Sequence, residues 1–405
     1  MKHTLFKWLT IWFLISQLFP PYAAFVPING ALALAVFCGV AIVLFPNLLK
    51  SRCIFWLLVY HAICLLQYMF GNAFYPTIKH VLPPLLTMLS AMLLIEYMYR
   101  YDYNCKLTKI IFFESLSLNV IMTFLTLPQL AINPNIIRAA SILMEDGGEE
   151  TQMLSFLMSY DNIHGLTFLF APLAAITRMF FQRDKKKNGV VLGLITLLLL
   201  YIVFRSNATT PLILSIGAAV GGVLFWGSRI DRKIINKVLL IGILALAFLN
   251  KPVLVGVIDY AQSFMSVSDA NYQKMDELRA KLLTGRAEGD WGYREKLYDT
   301  SSKLFLESPI IGTSTPDKVS RHSFIVDRLA LMGILGVIPL ALFFLNAIKD
   351  SARRLNESKI TYYVSIMILF VMLCLKNEFG FGTWLYGFCL LPVYCRYIDY
   401  LIANE

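Results

Sequence analysis

An all-α, polytopic transmembrane helix bundle is the fold class that this sequence predicts, and three observations predict it. The 405 residues are 58% hydrophobic and only 15% charged, against about 45–50% and about 25% in soluble domains. Mean hydropathy is +0.64. The apolar residues arrive in blocks close to the roughly 20 that a helix needs to cross a bilayer. This balance excludes an ordinary soluble enzyme and a disordered chain. The 29 Phe and 20 Tyr suit surfaces that face lipid or lie at its interface.

Taken in order, the blocks predict about twelve spans. They lie near 5–19, 28–45, 54–70, 81–99, 110–127, 162–181, 189–204, 211–227, 238–257, 322–347, 360–375 and 381–399. The first follows Lys2 and Lys7 and ends near Pro20-Pro21-Tyr22-Ala23-Ala24, as a signal peptide would. It is read as a retained helix because further spans follow at once.

Alternate connections carry basic clusters: Lys50/Arg52, Arg100/Lys106/Lys109, Arg178/Arg183/Lys185/Lys186/Lys187, Arg229/Arg232/Lys233/Lys237 and Lys349/Arg353/Arg354/Lys359. The opposite connections hold few, namely Lys79, Arg138, Arg205 and Lys376. Cytoplasmic placement of the clusters puts both termini inside. It also accounts for the formal charge of +10 without nucleic acid.

Two outward connections are long. One, near 128–161, contains the acidic run Glu145-Asp146-Gly147-Gly148-Glu149-Glu150. The other divides the chain into helices one to nine (1–257), a large outer loop (258–321) and helices ten to twelve (322–405). Long structured loops in compact proteins usually carry function. Ser268 or Asp269 is placed to cap a loop helix through Leu283 that ends at Gly285. A second helix starts near Asp290, with Tyr293, Leu297, Leu304 and Phe305 as apolar positions, and stops before Pro309. The pair reads either as an amphipathic lid on the membrane surface or as a simple cover over helix ends.

The chain lacks a GxxxxGK[ST] phosphate loop, an HExxH motif and a dinucleotide-type glycine fingerprint. Its 7 cysteines lie in or beside predicted spans, are odd in number and form no CxxC, which argues against a disulfide framework or a zinc site. The outward side is instead rich in cations: Arg279, Lys281, Arg286, Arg294, Lys296, Lys303, Lys318 and Arg321, with Arg205 at the end of the seventh span. Basic residues on that side oppose the positive-inside tendency. An anionic substrate is one reason for them, because an arginine fork grips phosphate oxygens bidentately; headgroup contact or solvation is the other.

His322 opens the tenth span, with Asp327 about 7–8 Å further in at 1.5 Å per residue. A histidine there reads as a base for a sugar hydroxyl, or as a helix-end residue bonded to a loop carbonyl. His164, in Asp161-Asn162-Ile163-His164-Gly165, stands at an earlier outer helix entrance and reads by itself as a structural or interfacial residue. His61, Gln67 and Asn119 read as interhelical hydrogen-bonding residues. Glu96 and Glu114, near Arg100 and Lys109, read as structural.

The run Gly285-Arg286, Trp291, Arg294 and Ser308-Pro309-Ile310-Ile311-Gly312 leads into His322-Ser323-Phe324 and Leu331-Met332-Gly333-Ile334-Leu335-Gly336. This order resembles the O-antigen polymerase and ligase superfamily, the Wzy-type oligosaccharide repeat-unit polymerases. Asp161–Gly165 is similar to an earlier helix entrance of that family, and Arg205-Ser206 with Thr209-Thr210 to its middle-helix turn. Ser323 stands where many members carry asparagine, and Arg205 precedes its serine rather than following it.

The resemblance implies a glycosyltransferase of the bacterial cytoplasmic (inner) membrane. Donor and acceptor would be undecaprenyl-diphosphate-linked glycans, and neither metal, nucleotide nor other cofactor would be needed. His322, Arg286 and Arg294 would be catalytic, with Arg205, Arg321, Asp327 and His164 binding substrate. The product would be O-antigen, capsule or exopolysaccharide, and a chain-length regulator would be a partner. A ligase that transfers finished glycan to an acceptor shares these motifs. A lipid-linked oligosaccharide flippase shares the topology, although transporters usually show internal repeats that are not visible here.

Overall fold

The structure is a computed structural model that describes residues 1–22, 26, 30–71, 74–133, 135–137, 157–225, 251–264, 270–284, 289–315, 318–319, 323–375 and 381–404. Among these residues the only regular elements are helices. In chain order they are α1 (Lys2–Leu18), α2 (Gly30–Leu44), α3 (Arg52–Gly71), α4 (Phe74–Tyr101), α5 (Lys106–Ile132), α6 (Tyr160–Gln182), α7 (Lys186–Arg205) and α8 (Thr209–Leu224). There follow α9 (Lys251–Gln262), α10 (Ala270–Thr284), α11 (Gly289–Glu307), α12 (Phe324–Arg353), α13 (Lys359–Leu375) and α14 (381–403).

Six of these helices contain stretches long and apolar enough to cross a membrane: Arg52–Met69, Val81–Tyr101, Lys106–Ile132, Tyr160–Gln182, Lys186–Arg205 and Phe324–Arg353. Gly30–Leu44, Thr209–Leu224 and Lys359–Leu375 are shorter apolar helices. Among the described residues the chain is therefore an all-helical membrane protein, and its six candidate spans fall on predicted apolar blocks, while α9 runs past the expected end of the ninth span at 257. The predicted ninth span falls mostly on 226–250, outside the described residues, as does most of the acidic outer connection.

α12 packs along α3, α6 packs between α7 and α8, and α11 lies on α12. Helix α6 is buried almost throughout, whereas only a third of its neighbour α7 is. The first helical turn of α6 is capped by Ser159, whose Oγ accepts from the Asn162 N–H at 3.1 Å.

Both expected loop helices are present. Helix α10 keeps Met275, Leu278 and Leu282 half-buried, and α11 does the same with Leu297, Leu304 and Phe305. Ser268, Asp269 and Gly285, expected to bound α10, lie outside the described residues.

Two spans are not simple helices. α14 runs Phe381–Leu385, a π turn Tyr386–Leu390, then Leu391–Ala403, and π turns tend to gather at functional sites. α12 breaks at Gly333, where φ is 59° and ψ is −169°. That conformation belongs essentially to glycine.

Candidate functional site

The break in α12 frees backbone groups that a continuous helix would pair with one another. In hydrocarbon such groups must find partners within the protein. Here the turn that follows α11 supplies them. The Thr313 N–H donates to the Ala330 carbonyl (2.8 Å) and the Ser314 N–H to Leu331 (3.1 Å). In return, the Ile334 N–H donates to the Pro309 carbonyl (2.9 Å) and the Leu335 N–H to Ile310 (3.0 Å).

From α3, the Gln67 amide donates to the Ile311 and Met332 carbonyls, both at 3.0 Å. Segment 309–314 is thus spliced into the hydrogen-bond ladder of α12. Gly312, with φ of 69°, makes the complementary turn. A Cβ at Gly312 would fall on the Leu331 carbonyl, and one at Gly333 on the Ile310 carbonyl. The two glycine-bearing motifs read separately from the sequence are one structural unit.

A second junction binds α11 to the first turn of α12. Ser323 caps α12, and its N–H donates to Asp327 Oδ2 at 3.0 Å. The Ser301 hydroxyl of α11 donates to Asp327 Oδ1 at 2.7 Å, and both side chains are buried. Asp327 therefore fastens the loop helix to the span. His322, Arg286 and Arg321 lie outside the described residues. Arg294 lies on α11, and only its backbone is described.

One residue beyond Asp327, Arg328 lines a cavity of about 60 Å³ with Tyr60, His61, Cys64, Tyr68 and Trp384. Its guanidinium stands 5.2 Å from the Phe324 ring centroid and donates to the Tyr68 hydroxyl at 3.5 Å. An arginine is costly in a bilayer, and intramembrane ionisable groups usually mark function. Trp384 comes from the turn just before the π turn of α14. Pro84, the second of two consecutive prolines inside α4, contributes to the wall.

His61 is not the interhelical link that its position suggests. Its Nδ1 lies 2.9 Å from the Leu57 carbonyl of its own helix. That contact requires the proton on Nδ1 and leaves Nε2 an acceptor in the neutral ring.

The other sequence candidates are dispersed. His164 is buried, with Nδ1 bonded to the Tyr160 carbonyl at 2.9 Å and its ring edge-on to Tyr160 at 4.3 Å. Arg205 donates to the Leu130 carbonyl at 3.2 Å, joining the ends of α5 and α7. Neither lines the Arg328 cavity.

Two loop cations counted toward an anion site are engaged elsewhere. Arg279 pairs with Asp259 at 2.6 Å, and Lys303 with Asp299 at 2.6 Å. The hydrogen bond and charge of Asp299 hold the Lys303 ammonium above its ordinary pKa. Glu96 is structural as expected, accepting from Ser51 (2.7 Å) and Arg100 (3.0 Å). Glu114 differs: Lys109 turns away to the Tyr400 hydroxyl (2.6 Å), where the ring face adds a cation–π contact. Both Glu114 carboxylate oxygens have no hydrogen-bond partner among the described residues. Asn119 does link helices, accepting from the Tyr386 hydroxyl.

Arg328 and the splice are what sequence reading missed. Arg328 had a legible signal, an arginine inside an apolar span. The splice had none, because Leu331–Gly336 reads as unbroken helix. No group of three or more His, Cys, Asp or Glu side chains among the described residues is placed to hold a metal ion. No family model matches the chain, and no curated protein matches it.

Proposed function

We propose that the chain is a membrane glycosyltransferase that polymerises undecaprenyl-diphosphate-linked oligosaccharide repeat units into surface polysaccharide. In this reading it crosses a bacterial inner membrane about twelve times, with both termini in the cytoplasm. The observation that carries the reading is the splice: the Pro309–Gly312 turn and the Gly333 helix, the two halves of the motif resemblance, are hydrogen-bonded to each other beside an intramembrane arginine.

In the proposed reaction, an acceptor hydroxyl oxygen bonds to the anomeric carbon of the donor glycan. The anomeric carbon–oxygen bond to the diphosphate breaks, and undecaprenyl diphosphate leaves with the electron pair. His322 takes the hydroxyl proton. Arg286 and Arg294 offset the charge growing on the leaving diphosphate, with Arg328 as a third cation reached from the membrane side. Arg205 and Arg321 contact more distant parts of the glycan, and the buried His164 is left with a structural role. Asp327 positions α11 over the start of α12, which keeps water from the reacting carbon.

The test is the size and lipid attachment of surface glycan in a deletion strain carrying wild-type protein or the His322→Ala variant. Single repeat units at the surface, with the long ladder missing in both the deletion and the variant, are expected. Full-length polymer stranded on carrier lipid would indicate a ligase. Units held on the cytoplasmic side would indicate a flippase and overturn the catalytic reading.

A further inference from the structure

A second cavity lies at the opposite end of α5 from the Arg205 contact. It is an apolar groove of about 670 Å³ between α5 and α7, closed on its flanks by α6 and α14. Phe113, Leu116, Val191 and Ile195 form its walls, with Tyr397 and Asn188 toward one end. That volume is in the range of pockets that hold small ligands. Phe113 and Val191 are more than half exposed, so the groove opens sideways, toward what surrounds the bundle.

The end marked by Asn188 is basic. Lys186 and Lys187 immediately precede Asn188 at the start of α7, and both are exposed. Across the groove, the Lys109 ammonium sits 3.9 Å from the Tyr400 ring centroid. Tyr400 stacks on Tyr397, whose ring stacks on Phe112 at 4.1 Å. Lys109 and Tyr400 do not line the groove, and the Lys109 charge is joined to its wall through the Tyr400–Tyr397 stack.

Lys106, Arg183 and Lys185 lie at the same end, where Arg183 donates to the Leu401 carbonyl. Of the nearby acids, Asp184 is exposed, while Asp102 is consumed capping α5 through the Leu107 and Thr108 N–H groups. Glu114 does not line the groove. The site is an apolar slot whose lining residue Asn188 follows two lysines in the chain and whose Phe113 lies one helical turn beyond Lys109. Its complement is a molecule with a long apolar chain and an anionic head.

We propose that this groove binds an anionic phospholipid. One acyl chain lies between α5 and α7, and the phosphate sits at Lys109, Lys186 and Lys187. Basic residues gathered at a membrane surface attract anionic lipids in the same way. The site is independent of the glycosyltransferase reading, because it shares no residue with the Arg328 cavity.

The test uses the full chain purified in neutral detergent, with thermal unfolding followed as phosphatidylglycerol or phosphatidylcholine is added. Phosphatidylglycerol is expected to raise Tm more than phosphatidylcholine. The Lys109→Gln/Lys186→Gln/Lys187→Gln variant should lose that difference and keep the phosphatidylcholine response. Val191→Trp, which fills the slot from an exposed position, should lose the response to both lipids and retain no phosphatidylglycerol in native mass spectrometry. Equal shifts from the two lipids in wild type, or a difference that survives in the triple variant, would overturn the proposal. So would a Val191→Trp chain that turns from dimer to monomer, since a second copy would then be the occupant.

Discussion

The Arg328 cavity holds about 60 Å³ among an arginine, a histidine, a cysteine and aromatic rings. The groove between α5 and α7 holds about 670 Å³ among mostly apolar side chains. The first takes Tyr60, His61, Cys64 and Tyr68 from the regular α3, and the rest of its wall from elements with interrupted backbones: α12 broken at Gly333, α4 with its proline pair and α14 at its π turn. The second is walled largely by α5 and α7, whose backbones are regular around it. The difference teaches where this bundle spends its conformational cost. Polar groups inside a membrane need partners with set geometry, and here Arg328 meets the Tyr68 hydroxyl of α3 while the break at Gly333 is closed by the turn before it. An apolar slot needs only shape.

Arg328→Ala should have the largest effect on activity. Glycan polymerisation in membranes is expected to fall by about 100-fold or more if the guanidinium acts on leaving-group charge. The phosphatidylglycerol response at the groove should stay intact. A 2-fold change would remove Arg328 from the proposed site and erase the functional side of the contrast.

Gly333→Ala comes next and tests the backbone side. Its φ/ψ pair costs a non-glycine residue about 1–3 kcal/mol, and the added Cβ meets the Ile310 carbonyl. We expect a marked fall in Tm and the loss of activity. Unchanged stability would mean that α12 is not spliced in solution.

Gln67→Leu keeps the side-chain bulk but strips the amide from the Ile311 and Met332 carbonyls. A loss of about 1–3 kcal/mol is expected, read as a lower midpoint in thermal or denaturant unfolding. Lys303→Ala is the smallest and serves as a control. Its partner Asp299 is exposed like itself, exposed pairs contribute little, and neither Tm nor activity should move measurably.

Much of the helical frame was legible in the sequence, because spans announce themselves by unbroken apolarity. α3, α5 and α7 begin and end within a few residues of the blocks that predict them. The loop helices α10 and α11 were legible too, from their spacing of Met275, Leu278, Leu297 and Leu304. The site was legible only in pieces.

Arg328 stood out by its charge, but nothing local says that Tyr60 and Trp384 share its cavity; helix neighbours decide that. The splice was hidden because Met332-Gly333-Ile334 is as apolar as any span, and its signal lies in two torsion angles rather than in composition. His61 and Lys109 both bond where the sequence does not point. Each found a partner other than the one its position suggests: His61 the Leu57 carbonyl one turn back, and Lys109 the Tyr400 hydroxyl 291 residues away.

The splice also bears on how the protein is made. A broken helix entering lipid with open carbonyls would be a poor guest in the bilayer, yet the segment that closes them is the one synthesised just before it. Pro309–Ser314 leaves the ribosome ahead of Gly333, so the two can enter the membrane already paired. Gln67 is 244 residues from the Ile311 carbonyl that it holds, and it belongs to a helix inserted long before. The α3 surface therefore waits as a template, and α12 becomes complete only when it arrives there.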